Sequence, residues 1–365
     1  MICFSMKCIF VKYTFLLFQI YCMLAVMTMT SKNTLLLIIL FMAGSRLFAQ
    51  HVSEIPEYAL SDSEKTGKQE NLIEISIDTG VLFGTLYEYV FSDNSGDDSF
   101  DYMVSRLDWN IQPIVYSGIT ACTRVYENIF GGIGVWFGYP MEVGYMEDRD
   151  WNYDPDDSPP YEYTGDLNMY SWHRSFLYYS IFADMNMGYG IINDEIVVLT
   201  LLVGFTYKRF HFYGMYGHFN HFIMTTNTTG TYPGKVIEYE QNWFVPYIGT
   251  EILWQIIPEL NLRFFLCVSP FLSFVYARDL HLTSDTEYLD FPSWGFYTAG
   301  KVSVSYLFLE QFAASMDILL QWSPPFKGDS YSGTIDSDLY ILSSTWKGGA
   351  ACFTYGLSIK LTYLF

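Results

Sequence analysis

From residue 70 onward, apolar and polar side chains alternate in long runs separated by clusters of Gly, Pro, Asn or Asp. The segment from Asn71 to Phe91 shows the pattern. Ile73, Ile75 and Ile77 alternate with Glu74, Ser76 and Asp78, so a strand here turns one face to an apolar medium and the other to a polar interior. Such strands are predicted at 72–91, 101–117, 119–141, 168–190, 196–214, 235–255, 260–281, 292–309, 311–324 and 350–365. Each is long enough to cross a bilayer, which takes about 10 residues of tilted strand, and an even count closes a barrel. The connections Ser92 to Asp101, Glu142 to Asp166, Phe210 to Lys235 and Asp279 to Pro292 read as long acidic outer loops, whereas Ile191 to Glu195 and Ile256 to Glu259 read as tight inner turns. The fold class this predicts is all-β: a ten-stranded antiparallel transmembrane barrel of the outer-membrane type spanning 71–365.

Composition narrows the picture. Hydrophobic residues make up 51% of the 365 and aromatic residues 19%, with only 16% charged. A typical soluble domain carries about 25% charged residues, so an ordinary soluble enzyme is disfavoured. Beyond the N-terminus no apolar run reaches the roughly 18 residues of a membrane-spanning helix. The net charge is −20, and because four of the 19 basic residues but none of the 39 acids fall within 1–49, the remainder is more acidic still. Nucleic acid is thereby excluded as a partner, and a cationic substrate is the natural complement. Cys122, Cys267 and Cys352 are scattered singly and suggest neither a disulfide framework nor a metal site.

The first 49 residues read as an export segment. Two apolar stretches, Ile9 to Met27 and Leu35 to Gly44, precede Ser45-Arg46-Leu47-Phe48-Ala49. The second has the order of a secretory signal over about 29–49, with cleavage after Ala49, and a membrane anchor is the competing reading. Residues 50–70, with Ser61, Asp62, Ser63, Glu64 and Lys65, show no periodicity and read as a flexible periplasmic linker. At the other end, Leu357 to Phe365 alternates and stops on an aromatic residue. It resembles the last strand of a bacterial outer-membrane barrel, whose terminal Phe, here Phe365, is read by the barrel-assembly machinery; a soluble edge strand is the plainer alternative.

Two acidic clusters stand at predicted outer strand ends: Tyr145 to Trp151, and Ala277 to His281. Residues i and i+2 of a strand share a face, so Asp148 pairs with Asp150, and Asp279 with His281. Crowded carboxylates raise one another's proton affinity, and an Asp beside a His supports the imidazolium that forms on proton uptake, so together the pairs suit the activation of water. Taken alone, Asp-x-Asp is more often solvated or a casual cation site, and Asp-x-His more often a surface hydrogen bond. His211, His218 and His221 could be grouped for a metal, and Asp154, Asp156 and Asp157 for calcium, but neither spacing matches a closed site. No cofactor is expected.

Several motifs in order resemble the omptin family of outer-membrane endopeptidases: Val104-Ser105-x-Leu107-Asp108-Trp109, Met146-x-Asp148-x-Asp150-Trp151, Ser171-x-His173, Tyr239-x-Gln241 followed by Pro246-Tyr247-Ile248-Gly249, and Asp279-x-His281. The resemblance covers the whole mature chain. It implies that Asp148 and Asp150 face Asp279 and His281 across a groove at the extracellular mouth, hydrolysing extracellular peptides or proteins through a water activated by His281, with Asp279 as its orienter. It also implies a pocket acid at Glu88 for a basic residue before the cut. The second expected pocket acid is Ala277 here, which weakens or changes that preference. Of the basic cluster by which the family binds outer-membrane lipid, Arg209 matches, with Lys208 beside it, while Asn242 stands where another Arg is expected. The rival function is a non-catalytic barrel acting as an adhesin or surface-structural protein. A pore is disfavoured by the large side chains in the lumen.

Overall fold

In a computed structural model, residues 73–92, 100, 102–126, 128–151, 166–194, 196–223, 226–335, 337 and 339–365 are described. The export segment, the 50–70 linker and Asp154, Asp156 and Asp157 lie outside these residues. Twelve strands form one antiparallel sheet, and among the described residues there is no helix. They are β1 (Ile73–Ser92), β2 (Tyr102–Tyr126), β3 (Ile129–Gly138), β4 (Met141–Trp151), β5 (Leu167–Asn193), β6 (Val197–Ile223), β7 (Thr226–Ile257), β8 (Leu260–His281), β9 (Thr286–Pro292), β10 (Gly295–Leu309), β11 (Phe312–Thr334) and β12 (Ile341–Leu364). Because β1 pairs with β2 on one side and with β12 on the other, the sheet closes on itself and has no free edge. β3 and β4 occupy in succession the position between β2 and β5, and β9 and β10 that between β8 and β11.

The strand boundaries differ from those expected wherever glycine or proline was taken for a break. Gly118 does not end a strand. It lies inside β2, where the indole of Trp136 from β3 packs over it and a Cβ would collide; the reversal falls instead between Tyr126 and Ile129. The expected loop Phe210 to Lys235 is largely the outer ends of β6 and β7, and the expected loop Asp279 to Pro292 contains β9. Gly348 and Gly349 lie well within β12, which starts at Ile341 rather than 350. Asp148 and Asp150 accordingly belong to a strand, β4, and not to the start of a loop.

The outer wall changes character along the strands. At the end carrying both Ile73 and Phe365, whose backbones are joined by a 2.9 Å hydrogen bond, outward apolar side chains stand exposed: Ile119, Leu201, Ile248, Leu266, Ile318 and Ile359. Beyond that belt charged side chains join the outward positions. Arg106 and Arg149 both reach Asp108, at 2.6 and 2.7 Å, and Arg149 also reaches Glu147 at 2.8 Å.

The interior is filled. Trp109 stacks between Tyr239 (5.3 Å) and Phe212 (5.4 Å), bridging β2 to β6 and β7 across the lumen. Next to them Gln241 donates to the Tyr239 hydroxyl (2.8 Å) and accepts from the Trp243 indole (2.8 Å). All of these side chains are fully buried, and they make an aromatic floor across the barrel. Asp148, Asp150, Asp279 and His281 stand on the side of that floor away from the apolar belt.

Candidate active site

Alternation along β4 sends Glu147 and Arg149 outward into the ion pairs just described and turns Met146, Asp148 and Asp150 inward. The neighbouring strands complete this wall. Ser105 on β2 lies opposite Asp150 and hydrogen-bonds it; Leu107 on β2 and Ser171 on β5 flank Asp148. The Val104 to Trp109 motif therefore has a physical reading: Ser105 serves Asp150, Trp109 builds the floor, and Asp108 braces Arg149 from outside.

The facing wall is β8 with β9. Here Arg278 points outward to Glu287, while Ala277, Asp279 and His281 point in. His281 Nε2 lies 2.6 Å from Asp279 Oδ2. A carboxylate can only accept, so Nε2 carries the hydrogen and Nδ1 is the nitrogen left for proton transfer. The ring of Tyr288, opposite Asp279 on β9, meets the imidazole edge-on at 5.3 Å. His281 keeps 35% of its side-chain exposure, whereas the Asp279 side chain keeps only 4%, so the dyad has a wet end and a buried end.

Electrostatics tie the two walls together. Burial works against the His281 imidazolium, but Asp279 at contact distance, with Asp148 and Asp150 behind it, outweighs that and lifts His281 to about 9. In return, burial and then Asp150 raise the Asp148 carboxyl well above its ordinary value, with the imidazolium partly offsetting them. Asp150 is raised by burial, against the Ser105 hydrogen bond and the charge on His281. Two carboxylates and an imidazole that answer to one another's charge can share a proton and polarise a water between them.

This geometry agrees with family comparison, since residues 69–365 match the Omptin family. The chain belongs to the omptin family. Among solved structures, the outer membrane protease OmpT from Escherichia coli aligns with a TM-score of 0.71 at 20% identity, covering 81% of this omptin and 98% of that chain. Two other outer-membrane structures align with TM-scores of 0.33: the translocator domain of the autotransporter NalP from Neisseria meningitidis (8% identity, 84% of this chain and 97% of that one) and OprG from Pseudomonas aeruginosa (7%, 80% and 96%). No curated protein matches this omptin.

The remaining sequence-derived candidates fall in different surroundings. Glu88 on β1 points inward, is 2% exposed, and lies within electrostatic reach of Asp279, Asp290 and Asp148. Arg209 faces outward but is not a free cation: its guanidinium donates to Glu240 at 2.7 Å and lies over the Tyr179 ring. Lys208, expected beside it, points the other way, buried in the lumen with hydrogen bonds of 2.7 Å to Tyr297 and Gln321. The three outer histidines do not converge. His211 lies 3.5 Å from Glu238, His218 sits against Trp172, and His221 contacts Met169. Among the described residues no three His, Cys, Asp or Glu side chains are grouped as a metal requires. Ser171 Oγ lies 2.9 Å from His173 Nε2, and burial drives His173 down to about 4, which makes it a neutral prop behind Asp148.

Sequence reading missed Asp290 and Tyr288 because they lay in an expected loop. The signal was present. Polar Thr283, Ser284 and Asp285 make a turn after His281, and Tyr288-x-Asp290-x-Pro292 then resumes the two-residue alternation.

Proposed function

We propose that this chain is an outer-membrane endopeptidase whose site faces the cell exterior. Counted as staves, with β3 and β4 as one and β9 and β10 as another, the barrel has ten. The belt of outward apolar side chains is the membrane-facing surface, and the site stands beyond it, at the end opposite Ile73 and Phe365. That disposition supports periplasmic termini and an external mouth.

The observation that carries the proposal is the inward-turned Asp148 and Asp150 on β4 together with the hydrogen-bonded, inward-turned Asp279 and His281 on β8, and the response of each pair to the other's charge supports it. A water between these walls gives a proton to His281 Nδ1 as its oxygen attacks the scissile carbonyl carbon. Asp279 holds the ring and stabilises the imidazolium. The same proton then passes to the departing amine as the C–N bond breaks, so no covalent acyl-enzyme is required. Glu88 supports a preference for a basic residue before the cut, and the overall acidity suits cationic substrates. The outer wall at Arg209, with Tyr207 and Tyr179, would meet outer-membrane lipid, though with its charge already paired to Glu240. The export segment and Phe365 fit secretion and insertion by the assembly machinery.

The test is cleavage of a peptide library by refolded wild-type chain beside Asp148→Ala and His281→Ala. Hydrolysis by wild type that both substitutions abolish, with heat-modifiable barrel mobility kept, supports the assignment. Equal cleavage by all three, or none by wild type, refutes it and leaves the adhesin reading.

A further inference from the structure

Glu88 should not be alone. The position from which a second pocket acid would be expected holds Ala277, yet the cross-strand partner of Ala277 on β9 is Asp290. Directly opposite residues of an antiparallel pair share a face, so Asp290 projects into the lumen beside the Ala277 methyl. Space for it is kept by glycine: a Cβ on Gly348 of β12 would strike the Asp290 carboxyl. Glu88 arrives from β1 opposite Ala350, another small residue. Two acids from β1 and β9 therefore enter one region walled by Ala277, Gly348 and Ala350.

Among the described residues no basic group acts on Glu88 or Asp290. Glu88 and Asp290 are 2% and 3% exposed, and Glu88 Oε2 and Asp290 Oδ1 are buried without a hydrogen-bond partner. The charged groups acting on Glu88 are Asp279, Asp290 and Asp148, all acidic. Burial, and then those three acids, raise Glu88 well above its ordinary value. Asp290 is pushed up to about 7 by burial, eased by a hydrogen bond from Ser330 and reinforced by Asp279. Buried carboxyls with free oxygens are costly to keep unless something binds them, and a cation with N–H donors both offsets the mutual repulsion of the acids and satisfies the free oxygens.

Resting on the peptidase reading above, we infer that Asp290 is a specificity-determining residue of this site, forming with Glu88 a two-carboxylate pocket for the cationic side chain of a lysine or arginine next to the scissile bond. The acid absent at position 277 has been supplied by the neighbouring strand.

The test pairs two peptides differing only by lysine or norleucine at the varied position, read in two ways. In hydrolysis, wild type prefers lysine, and Asp290→Asn lowers that preference by about 10- to 100-fold, the worth of one charge-assisted hydrogen bond, while still cutting the norleucine peptide. Adding Ala277→Asp to Asp290→Asn restores the preference. In binding, measured calorimetrically on the Asp148→Ala chain, lysine peptide binds more tightly than norleucine peptide, and Asp290→Asn removes the difference. An unchanged lysine preference in Asp290→Asn, or an equal loss for both peptides, overturns the inference. Absence of any hydrolysis by wild type sinks the peptidase reading alone, because binding still reports whether the pocket discriminates charge.

Discussion

The two halves of the lumen treat charge in opposite ways. Towards the Ile73 and Phe365 end, acids of the lumen have basic or hydroxyl partners. Lys360 lies 3.5 Å from Asp317 and opposite Asp78 in the register, Arg263 lies 3.8 Å from Glu251, and Asp184 accepts from Thr206 (2.6 Å) and Tyr247 (3.1 Å). Across the floor of Trp109, Tyr239 and Gln241, the mouth gathers Glu88, Asp148, Asp150, Asp279 and Asp290 near His281, with Arg149 and His221 acting on Asp148 and Asp150 as well. The same closed sheet carries both. A paired interior rigidifies and closes a barrel, whereas an acid cluster left open at one end favours whatever brings positive charge or takes up a proton.

The contrast between the halves breaks most severely if the mouth is dispensable for chemistry. Asp148→Ala or His281→Ala should lower peptide hydrolysis by roughly 10²–10⁴, the usual worth of a positioned proton-transfer group, with folding unaffected. Steady-state rates beside thermal unfolding in detergent check this. A loss of fold that parallels the loss of rate would make these groups structural, like the charges below.

The floor separates the halves, and its removal tests whether they are separable. Trp109 is fully buried between two rings, so Trp109→Ala should cost about 3–5 kcal/mol of stability, the range for deleting a large buried aromatic. Denaturant titration of the refolded protein measures it. A change below about 1 kcal/mol would show that the ring stack does not hold the barrel together.

Much of the fold and of the site is legible in the amino-acid sequence, and the limits have physical causes. Period-2 alternation identifies the all-β class and nearly every strand core, because inward and outward faces meet different media. The four groups of the candidate site are legible because each pair is local, at i and i+2 of one strand. Strand ends are not, since Gly118, Gly217 and Gly348 occur where a neighbouring side chain needs room rather than where the chain turns. The strand that carries Asp290 is legible in its alternation, but the significance of that acid is not: it lies in its register opposite Ala277, which is a property of two strands and not of either sequence run. Lys208 and Arg209 are adjacent in sequence but on opposite faces, and only the register of β6 separates lumen from wall.

A milder test uses pH to compare stability. A carboxyl raised by burial stabilises the fold while protonated; for Asp290 that stability is complete below the ordinary Asp range near 4 and is lost as pH rises through about 7. Asp290→Asn cannot ionise. The variant and wild type should therefore have similar unfolding midpoints near pH 4, and the variant should gain on the order of 1–3 kcal/mol relative to wild type above pH 7. An acid paired below the floor should behave differently, because Asp317→Asn removes a partner from Lys360 and should destabilise the fold. Identical pH dependence in the two variants would erase the distinction between the halves.

The smallest effect discriminates between roles for His281. Facing it are Asp279, Asp148 and Asp150, which together hold its proton to about 9 against the opposing effect of burial. If Nδ1 is the base, the free enzyme must lose that proton before it can act, so kcat/KM should rise with pH and level off above about 9. Asp279→Asn removes the nearest carboxylate, and the midpoint should fall by about one to two units, since an opposite charge at this range shifts a titration by that much. A profile that instead falls through 9 would assign His281⁺ as the acid that polarises the carbonyl and pass the base role to the Asp148 and Asp150 pair. The order of the two walls in the reaction would then be reversed, with β4 taking the proton and β8 supplying the charge.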